Sequence, residues 1–291
     1  MMSQHCTLII NPVSGGYSEL KLRSVQTALE AGGYTSELLV TKSADDATHF
    51  ARRICREHEE PFVVAGGGDG TVNGVINGLE HGKAVLAVLP LGTANVLAKE
   101  LGIRSADDAV ARIVRGITRP LTVGLLRAGS VERRFLLMAG IGVDGRIVEN
   151  VRESEKRRVG KGAYLLSAAR QLMNWERGRF EVVADGARIN CHSLIVCNGA
   201  RYGGSFILAP GADIFARGFQ AACITAQTRS AYLRLALAVM AGRIRNNHDI
   251  TLVTAREFAV SGEMAVQVDG DYCCRGPLRI TAEPAFARLI V

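Results

Sequence analysis

The segment Val63-Val64-Ala65-Gly66-Gly67-Gly68-Asp69-Gly70-Thr71-Val72-Asn73-Gly74 decides the fold of the first half of the chain. Its pattern indicates a buried strand, a glycine turn and the start of a helix. Glycines let backbone N–H groups approach a charged group closely, and the N-terminus of the helix adds a positive dipole. The segment therefore predicts a phosphate-binding turn, because a tight turn alone would explain only one or two glycines.

Two common nucleotide-binding motifs do not fit this segment. The lysine of GxxxxGK[ST] is absent, and the nearest match to GxGxxG has Asn73 in its last place. The segment is thus neither the phosphate loop of ordinary NTPases nor the dinucleotide fingerprint.

The neighbouring segments repeat the same arrangement. Apolar runs at Thr7–Ile10, Leu38–Val40 and Val85–Leu89 alternate with amphipathic helical patterns. Such alternation is typical of a parallel sheet with crossover helices, a Rossmann-like α/β fold. Turns follow the first, third and fourth strands, at the strand ends where parallel sheets bind ligands. Thr93 and Asn95, in the fourth turn, either cap a helix or contact that ligand.

After Pro120 the pattern changes to strands separated by short turns, which predicts an antiparallel β-sandwich or barrel. We expect an α/β domain over residues 1–120 and a β-rich domain over 121–291, with a cleft between them as the default active site. The last strand, Ala287–Val291, is a candidate to return to the first domain. The predicted strands are Leu121–Leu126, Arg133–Ala139, Phe180–Ala184, His192–Cys197, Phe219–Ala226, Ile250–Val260, Met264–Val268 and Leu278–Thr281, with helices near Ala163–Trp175 and Ala231–Ile244.

Composition limits the class of protein. With 291 residues, 48% hydrophobic and 22% charged, the chain is globular and long enough for two domains. The net charge of +7 suits an anionic partner or simple solubility. Aromatic residues make up only 5%, and no zinc-ligand spacing occurs, so nucleic-acid binding is the least favoured option. Seven cysteines without a CxxC pair favour a reduced, cytoplasmic protein, and we expect neither a signal peptide nor a bilayer-spanning segment.

The ordered set of motifs resembles the diacylglycerol kinase catalytic-domain family, which includes bacterial lipid kinases and the diacylglycerol, sphingosine and ceramide kinases. The resemblance covers nearly the whole chain. Its motifs are Asn11-Pro12-Val13-Ser14-Gly15, Gly67-Gly68-Asp69-Gly70-Thr71-Val72-Asn73, Leu91-Gly92-Thr93-Ala94-Asn95, Ala139-Gly140-Ile141-Gly142-Val143-Asp144, Asn198-Gly199, Leu208-Ala209-Pro210-Gly211-Ala212 and Val268-Asp269-Gly270-Asp271.

The resemblance implies an ATP-dependent lipid kinase with a nucleotide domain and a β-sandwich lipid domain. Asp271 matches the family's general base, although the family more often has Glu there. A Mg²⁺ ion bridging the ATP phosphates is expected, with Asp69 and Asp144 as candidate supports. The residues expected to contact ATP are Asn11, Thr41, Gly67, Gly68, Asp69, Gly70, Thr71, Val72, Asn73 and Thr93.

Two departures bear on activity. Val96 stands where family members often have Asp. Arg217 stands where family members often have an acidic residue associated with a structural magnesium site, so we do not expect that structural magnesium site in this chain. Two alternatives therefore stay open: a soluble-substrate kinase of the NAD-kinase-like group, and a catalytically inactive nucleotide-binding regulator.

The basic residues suggest a membrane partner. Lysines and arginines are dense between Arg152 and Lys161, which is either a solvated loop or a contact with anionic headgroups. Arg229–Arg245 has basic ends and an apolar middle, so it is either a core helix, which we favour, or an interfacial one. We expect a lipid substrate, peripheral contact with an anionic membrane surface and no nucleic acid. The sequence leaves the oligomeric state open, a homodimer included.

Overall fold

Apolar runs that alternate with amphipathic helices build a parallel sheet in the first half of the molecule. The computed structural model describes residues 4–151, 167, 170, 171 and 178–291. Strands pair in the order β2-β1-β3-β4, all parallel. The elements are β1 (Gln4–Ile10), α1 (Glu19–Ala31), β2 (Tyr34–Val40), α2 (Asp46–Glu57), β3 (Phe62–Gly67), α3 (Asp69–Gly78), β4 (Val85–Pro90), α4 (Val96–Glu100) and α5 (Ala106–Arg115).

The helices of this half pack their apolar stripes on the sheet. In α1, Ser18 caps the N-terminus by accepting from the N–H of Lys21, and Leu22, Val25 and Leu29 recur at helical spacing on the buried face. β1, β3 and β4 are buried on both faces over most of their length, as parallel strands covered by helices are, while the edge strand β2 is only partly buried. The Rossmann-like first domain is therefore confirmed.

The second half is antiparallel, in the strand order β14-β13-β10-β7-β15-β16. Its core contains Phe135, Phe219 and Phe258. The ring centroids of Phe135 and Phe219 are 5.6 Å apart, and those of Phe219 and Phe258 are 6.5 Å apart. This sandwich-like domain is also as predicted. Its elements are β5 (Thr118–Ala128), β6 (Val131–Phe135), β7 (Met138–Gly142), α6 (Val143–Glu149), β8 (Phe180–Ala184), β9 (Ala187–Cys191), β10 (Ser193–Cys197), β11 (Arg201–Tyr202), β12 (Phe206–Ile207), β13 (Phe219–Ile224), α7 (Arg229–Met240), β14 (Ile250–Ala255), β15 (Glu257–Val268) and β16 (Asp271–Ile290).

The long strand β16 links the two halves. It pairs antiparallel with β15 and β5, and near its end it pairs parallel with β4, with Arg288 opposite Val85. One hydrogen-bonded sheet thus runs from the first half of the molecule into the second. A domain boundary at residue 120 stays a prediction, since β5 runs across that position.

Two predicted strands are broken in the structure, each by an aspartate from a distant hairpin turn. Arg133–Ala139 divides into β6 and β7 because the Asp269 carboxylate accepts the backbone N–H groups of residues 136–138. Ile250–Val260 divides into β14 and the start of β15 because Asp185 accepts the N–H groups of Arg256 and Glu257. Each carboxylate takes N–H groups that a continuous strand would donate to its neighbour.

The preference for a core helix at Arg229–Arg245 holds for one face only. In α7 Ala231 is buried and Tyr232, Leu235 and Val239 pack against the core, while every residue of the helix except Ala231 is exposed or half-buried. The basic run 152–161 lies outside the described residues, as does the predicted helix near 163–175 apart from Ser167, Arg170 and Gln171. No helix in the described part of the chain has the length and apolar character needed to cross a bilayer.

Candidate active site

Three turns at the C-terminal ends of β1, β3 and β4 are joined by backbone hydrogen bonds. The N–H of Gly16 donates to the carbonyl of Leu91 at 2.8 Å. The N–H groups of Leu91 and Gly92 donate to the carbonyl of Gly67 at 3.1 Å and 3.0 Å. The main chain itself therefore holds the three predicted phosphate turns together.

Glycine is required where these turns meet. A Cβ added to Gly92 would lie 2.3 Å from the Cα of Gly68, which is backbone and cannot move aside. A Cβ added to Gly67 would lie 2.3 Å from Thr71 Oγ1. The glycine excess of this motif thus has a steric cause besides its suitability for binding phosphate.

Polar side chains from the predicted set gather around the turns. Asn11 Nδ2 donates to Thr71 Oγ1 at 3.3 Å. The hydroxyl of Thr93 lies beside Gly15, since a Cβ there would be 3.3 Å from Thr93 Oγ1. Thr41 is buried, and its N–H donates to the carbonyl of Ile10 at the end of β1. The structure brings all of these to one edge of the sheet.

The first turn of α3 offers a short run of N–H groups. The N–H groups of Thr71 and Val72 donate to the carbonyl of Gly68 at 3.0 Å and 3.2 Å, and the Val72 side chain is buried. The preceding N–H groups, of Asp69 and Gly70, begin the helix and have no acceptor within it. They are the groups that an anion at this N-terminus would meet.

Asn73 faces the other half of the molecule. Its Nδ2 donates to Asp269 Oδ2 at 2.5 Å and to the carbonyl of Arg134 at 3.3 Å. Its Oδ1 accepts from Asn77 Nδ2 at 2.9 Å. Asn73, the last residue of the predicted Gly67–Asn73 phosphate turn, therefore ties that turn to the β15–β16 turn.

Asp269 is a half-buried residue whose carboxylate collects four N–H donors. Oδ2 accepts from Asn73 and from the N–H of Leu136 at 2.7 Å, and Oδ1 accepts from the N–H groups of Leu137 and Met138 at 2.8 Å and 2.9 Å. Burial raises the pKa of this carboxyl, while the four donors act in the opposite direction. Since each partner donates, the arrangement is built for the ionised carboxylate.

Asp271 begins β16 directly after this anchored turn. Asp269 and Gly270 have φ values of +49° and +92°, which is typical of the two-residue type I′ hairpin turn. The Asp271 side chain is exposed. The turn thus presents one buried carboxylate to the protein and a second, two residues later, to the solvent side.

A second chain of contacts holds the other flank of the turn. Gln267 Oε1 accepts from the N–H of Gly270 at 2.8 Å, and its Nε2 donates to Asp144 Oδ2 at 2.7 Å. The hydroxyl of Tyr202 donates to Asp144 Oδ1. Burial raises the pKa of Asp144. Gly140 leaves room for this carboxylate, since a Cβ there would lie 1.7 Å from Asp144 Oδ2.

The two predicted magnesium supports lie in different surroundings. Asp69 Oδ1 accepts from the N–H of Leu97 at 3.1 Å, beside the phosphate turns. Both oxygens of Asp144 accept from Gln267 and Tyr202, in the second half of the molecule. Within the described residues, no three His, Cys, Asp or Glu side chains gather as a cation site. Asp69 fits an ion that is held mainly by phosphates and water, which is the usual coordination of Mg²⁺.

The sequence does not identify the two side chains that fix the turn before Asp271. Asp269 lies within a motif of the family resemblance, which assigns it no role, and Gln267 belongs to no motif. A Gln within an apolar strand, two positions before an Asp-Gly turn, is the available signal, because a buried amide needs partners.

Comparisons with known proteins cover both halves. The model of the diacylglycerol kinase catalytic domain matches residues 5–126, and the YegS C-terminal NAD kinase beta sandwich-like domain matches residues 138–291. The diacylglycerol kinase of Bacillus subtilis is 29% identical over 274 residues, covering 91% of this chain and 89% of its own. The "Probable lipid kinase YegS-like" protein of Pseudomonas aeruginosa is 32% identical over 214 residues, covering 71% and 68%.

A solved structure supports the fold. The crystal structure of a diacylglycerol kinase from Bacillus anthracis str. Sterne has a TM-score of 0.70 at 20% identity, covering 99% of this chain and 96% of its own. The ordered motifs, the two matched domains and these relatives agree: the chain belongs to the diacylglycerol kinase catalytic-domain family, with a second domain of the YegS type.

Proposed function

We propose that the protein is an ATP-dependent lipid kinase that transfers the γ-phosphoryl group of ATP to a hydroxyl of diacylglycerol or a related lipid. The observation that carries this proposal is the hydrogen bond from Asn73 Nδ2 to Asp269 Oδ2. It couples the N-terminus of a phosphate-binding helix to the turn that bears Asp271. A phosphoryl donor and a proton acceptor are the two groups that such a transfer needs.

In the proposed reaction the Asp271 carboxylate accepts the proton of the lipid hydroxyl. The hydroxyl oxygen forms a bond to the γ-phosphorus as the bond from that phosphorus to the β–γ bridging oxygen breaks. ADP leaves with the electron pair of the broken bond, and the lipid leaves as a phosphomonoester. The protein contributes chiefly position, because phosphoryl transfer depends on alignment and charge stabilisation.

The ATP phosphates would lie over the turns after β1, β3 and β4. The N–H groups of Asp69 and Gly70 face the phosphates, and Asn11, Thr41, Thr71 and Thr93 line the same edge. Asp69 is the residue that would hold Mg²⁺, and the ion would supply positive charge to offset that of the phosphates. In this proposal Asp144 does not contact the phosphates; it holds Gln267, which in turn holds the N–H of Gly270.

We infer that the protein works in the cytoplasm at a membrane surface. All seven cysteines are free thiols, as expected in a reducing compartment. A diacylglycerol substrate resides in a bilayer, and a net charge of +7 favours an anionic one. The relatives named as diacylglycerol and lipid kinases support a lipid acceptor.

The test is a lipid panel with mass detection of the product. Purified protein and Mg-ATP are mixed with detergent-dispersed diacylglycerol, monoacylglycerol, ceramide or sphingosine, and in a separate arm with NAD and no lipid. We expect a phosphorylated lipid. Product from NAD alone would instead indicate the soluble-substrate kinase, and ATP binding without any product would indicate the inactive regulator.

A variant pair tests the proton acceptor. Asp271→Asn is expected to lower turnover by about 100-fold or more, in line with the loss of a general base. The matched control is Glu263→Gln, which neutralises an exposed carboxylate on β15 and should leave turnover unchanged. Undiminished turnover in Asp271→Asn would remove Asp271 from this role.

A further inference from the structure

Helix α7 presents an apolar face to the solvent. Leu233, Leu237 and Met240 are 60%, 53% and 57% exposed. Their spacing of four and three residues places them on one side of the helix. We call these three residues the α7 face. Single exposed apolar residues are ordinary, but three aligned on one helix are typical of a contact surface.

The strand beside the helix carries a further exposed apolar side chain. α7 packs against β12, where Phe206 is 42% exposed. Phe206 pairs with Tyr202 across the short β11–β12 ladder. An aromatic side chain at the edge of an aliphatic helix face is the composition found in proteins that insert shallowly into lipid interfaces.

The charges around the α7 face are positive. The sequence from Arg229 to Arg245 contains four arginines and no acidic residue. Arg234 pairs with Asp249 at 2.8 Å, while Arg243 and Arg245 follow the exposed end of the helix. An apolar stripe with a basic rim complements a bilayer that carries anionic headgroups.

We propose that the α7 face, together with Phe206, is the surface by which the protein docks on an anionic bilayer. The inference deepens the proposed function and rests on it, since it names how a lipid kinase reaches its substrate. A second copy of the chain suits this surface less well, because pairing two α7 faces about a two-fold axis brings one basic rim against another.

The docking surface is connected to the candidate catalytic turn. Tyr202, the cross-strand neighbour of Phe206, donates to Asp144, and Asp144 accepts from Gln267, which holds the N–H of Gly270. A bilayer touching Phe206 therefore meets the protein at the outer end of the contacts that hold Asp271. Docking there brings the membrane to the second domain, where the lipid is expected to bind.

The experiment compares vesicle binding of two matched double variants of the full chain. Leu233→Glu with Leu237→Glu places two negative charges on the α7 face, and Leu20→Glu with Val114→Glu places two on exposed apolar positions of α1 and α5. In flotation with phosphatidylglycerol-containing vesicles, the α7 variant should bind about tenfold or more weakly than the wild type, and the control should bind like the wild type. Thermal unfolding confirms that both variants fold.

Activity measurements separate this inference from the proposed function. On a short-chain diacylglycerol below its critical micelle concentration, the α7 variant should match the wild type, while on long-chain diacylglycerol in vesicles it should be slower. If the wild type phosphorylates no lipid but the α7 variant alone loses vesicle binding, the docking surface stands and the proposed function fails. Equal vesicle binding by both variants, or a loss of self-association in sedimentation without a loss of vesicle binding, would overturn the docking proposal.

Discussion

The phosphate turns and the Asp269–Asp271 turn are held in place by different chemistry. The turns after β1, β3 and β4 are joined by main-chain hydrogen bonds and by glycines too close together for a side chain. The β15–β16 turn is held by side chains: Asn73 and three backbone N–H groups on Asp269, and Gln267 on Gly270. The first site is therefore sensitive to added volume, and the second to lost hydrogen bonds.

The largest expected effect concerns the side-chain site. Asp269→Asn puts an amide NH₂ where only acceptors fit, so at least one of four N–H donors loses its partner in a buried position. We expect a loss of about 3 kcal/mol or more in the free energy of unfolding, because hydrogen bonds to a charged group contribute about 1.5–3 kcal/mol each and all four lose that charge. Urea denaturation measures it.

Asp271→Asn is the matched variant within the same turn. Because Asp271 is exposed, the free energy of unfolding of the Asp271→Asn variant should stay within about 0.5 kcal/mol of that of the wild type. Equal destabilisation by the two substitutions would contradict the assignment of Asp269 to holding the turn and of Asp271 to the reaction alone.

The second effect concerns the main-chain site. Gly92→Ala forces a Cβ against the backbone of Gly68, so the turns must separate. We expect a loss of about 2–3 kcal/mol, as for other overpacked sites, and a weaker affinity for ATP in calorimetric titration. Gly70→Ala is the control for stability: a Cβ there meets nothing within 4 Å, and it should stabilise α3 by about 0.4–1 kcal/mol.

A third variant tests positioning without touching the phosphate turns. Gln267→Met removes the partners of the Gly270 N–H and of Asp144 Oδ2, at a cost of about 1–2 kcal/mol. The turn bearing Asp271 should loosen, so kcat falls while KM for ATP does not change. A matching rise in KM for ATP would mean that the two sites are not separable.

Gln267→Glu gives the same contact a pH dependence. The new carboxylate keeps an acceptor for Gly270 but faces Asp144, whose pKa burial already raises. Two facing carboxylates raise the pKa of the pair above that in the unfolded chain, so the destabilisation is present at neutral pH and is relieved as the pH falls and one proton is shared. Denaturation from pH 7 to pH 5 should show the difference from wild type shrinking; a constant difference would contradict it.

The smallest effect is expected at the ion pair of Arg134 and Glu283. Arg134 Nε lies 2.7 Å from Glu283 Oε2, and both side chains are about one-fifth exposed. Arg134→Met should cost about 1 kcal/mol and leave both kcat and the affinity for ATP unchanged, since the Arg134 carbonyl that serves Asn73 is retained. A change in kcat would show that the Arg134 side chain also helps to position the turn that bears Asp271.

The difference between the sites also explains what the sequence could predict. The glycines of the main-chain junction lie in short motifs directly after apolar strands, so Gly67–Asn73 and Gly92 indicate both the fold and the predicted phosphate edge. Asn73 and Asp269 are distant in the sequence, and only the folded sheet reveals their contact. Gln267 and Tyr202 belong to no consecutive pattern, and the role of Asp144 as a partner of both was equally hidden.

The predictions for the two broken strands and for helix α7 differ from the structure for related reasons. Apolar alternation through residues 133–139 predicts one strand, and the local sequence does not show that a carboxylate from residue 269 will take its N–H groups. In α7 the apolar residues nearly encircle the helix, so composition favoured burial. Whether neighbouring elements cover each side is a property of the tertiary structure, and here they leave one side open.

The pairing of β16 with β4 has a consequence for biosynthesis. Val85 is made early, but its strand partner Arg288 is made late. While the intervening chain is being synthesised, the nucleotide sheet has an open edge at β4, and open edges pair readily with other chains. We therefore expect nascent chains halted before residue 285 to be prone to aggregation and to bind chaperones, even though every residue of the phosphate turns is already present.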